Sequence, residues 1–168
     1  MDIKSILLPT FLFLILFSAS RMPAVSAALK IEETKFFVRI YTTSKDGFEI
    51  TQDFDTTLVP LVPYRSCYGW QIKVPTDAKL IKLREEFMLP NAPSFWSGES
   101  DEFATNRIVN NRRTSITKRF VIPDDGWVEN AWCVVKGDPE GDYSIKVYLN
   151  NQFIKKFDFE IRKLPKKN

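Results

Sequence analysis

The sequence predicts an all-β protein, a two-sheet antiparallel sandwich of about seven to eight strands preceded by a signal peptide. Three observations carry that expectation. Apolar and polar residues alternate with period two in run after run, the spacing of a half-buried strand. Turn residues punctuate the runs: Asp46-Gly47, Pro75-Thr76-Asp77, Pro123 to Gly126, Gly137 to Gly141 and Asn150-Asn151. Fourteen Phe, five Tyr and four Trp favour the pleated surface over the helix.

The elements follow in order. Residues 1–27 read as a leader. Lys4 gives a weakly basic start, and an almost wholly apolar run extends from Ile6 to Phe17. That run is shorter than the roughly 20 residues a spanning helix needs. Val25-Ser26-Ala27 places small side chains where a signal peptidase reads them, so cleavage after Ala27 is expected, with Ala28 the neighbouring choice and an uncleaved anchor the alternative. Phe36 to Tyr41 forms the first strand, and Phe48 to Leu58 holds a short edge strand. Pro60 and Pro63 stop regular pairing because proline has no N–H to donate. Tyr68, Trp70, Ile72 and Val74 make one apolar face, with Cys67, Gly69, Gln71 and Lys73 on the other.

Leu80 to Met88 is a further strand, with Ile81, Leu83 and Phe87 in phase. Its Leu, Arg and Glu content also admits a helix. Glu85 shares the apolar phase, which places it at the rim or marks a register shift. Residues 89–113 show no sustained alternation. Thr114 to Ile122 resumes it, with Ile116, Phe120 and Ile122 in phase; Val128, Trp132 and Val134 follow, with Asn130 the polar exception. Tyr143, Ile145, Val147 and Leu149 alternate without a break, and Asn150-Asn151 can supply the positive φ angles of a tight hairpin. The return strand, Phe153 to Ile161, has Phe153, Phe157, Phe159 and Ile161 in phase. The organisation is a signal peptide at 1–27, one sandwich domain at 28–162 and a basic tail at 163–168.

Composition narrows the chemistry. The 168 residues contain no His, which removes Ser-His-Asp and Cys-His nucleophilic sites, imidazole bases and histidine metal ligands. A formal net charge of +3 gives no strong pull toward nucleic acid or anionic lipid. No Asn-x-Ser/Thr sequon occurs. Export implies an oxidising compartment, and pairing of Cys67 with Cys133 is the simplest reading of two cysteines there. Free thiols and a redox site are the alternatives. No CxxC motif and no activating His favour the latter.

The run Gly141-x-Tyr143-x-Ile145-x-Val147-x-Leu149-Asn150, followed by Phe157-x-Phe159-x-Ile161, resembles the closing hairpin of immunoglobulin-like and fibronectin-like sandwiches. Over residues 60–161, a strand ending in Pro, a Trp-bearing loop, Gly126-Trp127, Trp132 and that hairpin are similar to a family of bacterial exported immunoglobulin-like domains of unknown function. The resemblance implies a fold and no activity. In the antibody-like pattern a Cys stands two residues after the Tyr of the penultimate strand; here Ile145 holds that place, so the usual inter-sheet bridge is not expected. With Cys67 and Cys133 on neighbouring strands of one sheet, their bridge would lie on the outer face.

Candidate surfaces are few. Phe95-Trp96 sits in the long loop 89–113 beside Pro, Ser and Gly, and an exposed Trp offers a flat face to a sugar or a protein pocket. The alternative is that Trp96 folds back and caps one end of the sandwich. Arg112 and Arg113, with Arg107, Lys118 and Arg119, make a basic cluster that would rim such a contact or lie solvated. Glu99, Asp101 and Glu102 are hard oxygen ligands without an EF-hand pattern, so no metal and no cofactor is expected. The function expected is a non-enzymatic binding or accessory module of a bacterial cell envelope, periplasmic or secreted. It would hold an envelope protein or glycan with Phe95 and Trp96 as anchors and Arg112 and Arg113 at the rim. No nucleic-acid partner and no membrane span in the mature chain are expected. The alternatives are a small glycan- or cell-wall-acting hydrolase using carboxylates near Glu85, and strand addition at a sheet edge.

Overall fold

A computed structural model describes residues 28–47, 49–94, 96 and 104–165. The leader therefore lies outside the described residues, as do Phe95, Glu99, Asp101 and Glu102. Among the described residues there are ten strands and no helix: β1 Glu33–Thr43, β2 Glu49–Phe54, β3 Leu58–Pro60, β4 Ser66–Lys73, β5 Ile81–Met88, β6 Thr105–Val109, β7 Thr114–Val121, β8 Trp127–Cys133, β9 Gly141–Leu149 and β10 Gln152–Arg162. They form two stacked sheets, one ordered β2-β1-β4-β8 and the other β3-β10-β9-β5-β7-β6. All pairings are antiparallel except β3 with β10.

Period-two burial places the core as the alternation requires. Trp70 and Ile72 on β4, Ile81, Leu83 and Phe87 on β5, and Tyr143, Ile145, Val147 and Leu149 on β9 are all buried between the sheets. The segment 80–88 is thus a strand, not a helix. Aromatic rings tie the layers together: Phe36 of β1 stacks on Phe159 of β10 at 5.0 Å, and Tyr68 of β4 meets the same ring at 4.7 Å. Asn150 and Asn151 adopt φ of 49° and 66°, closing the β9–β10 hairpin as expected.

Four placements differ from the sequence expectation. Strand β6 forms within the 89–113 stretch, where no alternation marks it because its side chains are mostly exposed. Strand β3 forms at Pro60, where pairing was expected to stop, as a three-residue edge strand beside β10. On β7 and just past its end the apolar phase faces outward: Phe120 is 62% and Ile122 76% exposed. The inward phase carries Ser115, Thr117 and Arg119, paired with Phe87, Glu85 and Leu83. On β10 the register shifts between Phe153 and Lys155. That bulge turns Phe153 out to solvent and packs Ile154 against the core.

Candidate ligand-binding cleft

Glu85 is neither at the rim nor displaced. It lies 1% exposed between the sheets, on the single side of β5 that faces them. Three donors from the opposite sheet converge on it. The Trp70 indole and the Asn130 amide donate to Oε2 at 2.6 and 3.1 Å, and the Trp132 indole donates to Oε1 at 3.0 Å. Arg119 supports Asn130 through a 3.3 Å bond from its guanidinium to Oδ1. Burial pushes the Glu85 carboxyl above the usual carboxylate range, and these three donors together with the Arg119 charge pull it partly back. Among the described residues, the groups acting on it are donors and a cation, with no second carboxyl. The arrangement is a polar pin between two sheets, and it explains Asn130 as the exception on β8. A retaining or inverting glycosidase needs a second acid facing the first across the sugar.

The cysteines stand opposite each other in the β4–β8 register and form a disulfide, with Cα atoms 3.8 Å apart. The bridge joins neighbouring strands of one sheet on the phase opposite Trp70, as expected from their positions.

The loop residues are brought together at one end of the sandwich. The Trp96 indole donates to the Arg112 carbonyl at 2.9 Å, and its ring meets Phe87 edge-on at 6.0 Å. Arg112 itself sits in the left-handed region, φ 66°, in the β6–β7 turn. Arg113 reaches back with its Nε to the Leu89 carbonyl at 3.2 Å. Trp96 and Arg113 therefore fasten the loop to the sandwich, and the hollow beneath Trp96 measures only about 20 Å³.

A larger opening lies elsewhere, between the edges formed by β2 and β3. The first sheet overhangs there, because β1 has 11 residues and β2 six, against three in β3. Pro60 helps to keep β3 short. The overhang leaves the inward residues Val38 and Ile40 of β1 and Phe54 of β2 above a cleft of about 540 Å³. Leu58, Pro60, Val62 and Leu164 complete its apolar wall; Arg65 and Ser66 also line it. The volume is that of a small-molecule site. Across the outer surface above it, Arg39 clamps β2 to β1 by two bonds to Asp53 at 2.7 and 2.8 Å. This pairing holds the Asp53 carboxyl below its usual range.

Nothing in the sequence pattern singled out this cleft. Its apolar residues read as ordinary core alternation. What opens it is the unequal length of strands that pair far apart in sequence. The prolines at 60 and 63 were the one available signal.

Two unequal sheets around an aromatic core, pinned by a buried glutamate and open along one side, define a β-sandwich. The chain belongs to the PM0630 beta sandwich domain family, which matches residues 36–162. Among solved structures, an immunoglobulin-like protein from Pseudomonas aeruginosa matches with a TM-score of 0.48 at 11% identity, over 82% of this chain and 99% of that one. No curated protein matches. No helix among the described residues is long and apolar enough to cross a membrane.

Proposed function

We propose that this chain is an exported, non-enzymatic binding module of the cell envelope, and that its ligand seat is the cleft between β2 and β3. The observation that carries this reading is the cleft itself: about 540 Å³ of largely apolar opening, against about 20 Å³ at the Trp96 end. The leader pattern and the disulfide support export. The enclosure of Glu85 by three donors speaks against hydrolysis. Contact through the loop 89–113 takes second place, because Trp96 gives its indole N–H to Arg112 and one face of its environment to Phe87.

A neutral apolar fluorophore such as N-phenylnaphthylamine tests this. The protein and its Trp96→Ala variant should capture it alike. Val62→Trp, which fills the cleft from its half-open wall, should weaken capture about tenfold or more, the effect of losing roughly 1.4 kcal/mol of burial. Undiminished capture by Val62→Trp, with circular dichroism unchanged, would refute the assignment.

A further inference from the structure

Two polar features of the cleft go beyond an apolar seat. Ser66 is 1% exposed and lines the cleft, yet its Oγ has no hydrogen-bond partner among the described residues. A buried hydroxyl left in this state is unusual in a folded protein and calls for a partner. Ser66 stands opposite Ile40 in the β1–β4 register, so it shares the inward face with the cleft's apolar wall. Its neighbour Arg65 also lines the cleft, and no acid among the described residues pairs with its guanidinium. The backbone around both is fixed: the Arg65 carbonyl accepts from Tyr41 N at 2.8 Å, and the Ser66 carbonyl from Val134 N at 2.8 Å. Neither side chain is needed to hold that turn.

An apolar trough with a buried, unpartnered hydroxyl and a cation on its wall complements an amphiphile with an anionic head. We propose that the cleft binds a long-chain carboxylate, a fatty acid whose chain lies against Val38, Ile40, Phe54 and Leu58 and whose carboxylate accepts hydrogen bonds from Ser66 Oγ and Arg65. This rests on the cleft being a binding seat and adds the class of ligand. A cationic head would meet Arg65 unfavourably, and a neutral alcohol would forgo the charge pairing.

Displacement of the bound fluorophore by dodecanoate, dodecyltrimethylammonium, dodecanol and decanoate, each below its micellar concentration, reads the proposal directly. Dodecanoate should displace about tenfold or more tightly than dodecyltrimethylammonium, the scale of one charge-assisted contact. Decanoate should be about tenfold weaker than dodecanoate, since two buried methylenes contribute about 0.8 kcal/mol each. Arg65→Gln should abolish the preference for the carboxylate while keeping the chain-length dependence. Ser66→Ala should weaken dodecanoate about tenfold and leave fluorophore capture intact.

Fluorophore capture with no discrimination among head groups would overturn the fatty-acid assignment and leave the apolar seat standing. Failure of wild type to capture the fluorophore would remove both. Ser66→Ala that raises the melting temperature without changing dodecanoate affinity would also overturn it, since the hydroxyl would then be merely a buried cost. Sedimentation showing a dimer that Val62→Trp dissociates would place a second copy of the chain in the cleft, again overturning the proposal.

Discussion

At the residue scale, Glu85 links the two sheets through hydrogen bonds. Its two carboxyl oxygens take three donors that no apolar side chain could satisfy. Glu85→Gln keeps the shape but turns an amide N–H toward indole or amide donors. We expect it to cost about 1–3 kcal/mol in urea unfolding at neutral pH, the penalty of leaving a buried donor unmet. The pH dependence has a definite sign. Because the folded-state pKa is raised, the native protein holds its proton after the unfolded chain has lost it. Glu85 therefore contributes most below the ordinary Glu value of about 4.3, and the contribution fades as pH rises through the raised value. Unfolding free energies measured across that window should lose this falling component in Glu85→Gln; an identical slope in both proteins would contradict it. The sequence displayed Glu85 in the apolar phase of its strand, and Asn130 likewise. It did not display their contact, because residues 85 and 130 meet only across the two sheets.

At the element scale, β2 is the least anchored wall of the cleft. It pairs only with β1 and is clamped there by Arg39 and Asp53. The pair is largely exposed, so Asp53→Asn should cost no more than about 1 kcal/mol. Its local effect should be larger than its global one. Hydrogen exchange of the 49–54 amides should quicken while that of β9 stays unchanged; equal protection in both would show the clamp to be idle. The legibility of elements followed burial. Strands buried on one face throughout, such as β4, β5 and β9, announced themselves by alternation. Strand β6, exposed along nearly its whole length, and β3, three residues ending in a proline, had no apolar phase to read. On β7 the phase was visible but its direction was not. Register with β5 turns Ser115, Thr117 and Arg119 inward, so Phe120 and Ile122 face solvent. The loop readings fared differently: Trp96, Arg112 and Arg113 do come together, yet what they contact is the sandwich itself.

At the scale of the whole molecule, the disulfide closes a sequence separation of 66 residues, spanning β5, β6 and β7 of the opposite sheet. In the chain-entropy account such a closure stabilises by about 4 kcal/mol. The double variant Cys67→Ser, Cys133→Ser should lose about that much in denaturant unfolding while retaining a β-type circular dichroism spectrum. A loss below about 1 kcal/mol would mean that the paired strands already restrict the unfolded chain.

The position of Leu164 against the cleft has a practical corollary. The segment after β10 passes beside the opening at Leu164, whereas β1 begins at Glu33, paired with Lys73 at the far end of its sheet. An affinity handle appended downstream would be tethered next to the aperture and would compete with whatever enters. The same handle placed upstream of β1 would stand clear of it, by roughly the 17 Å that the five extended residues from Glu33 to Val38 cover.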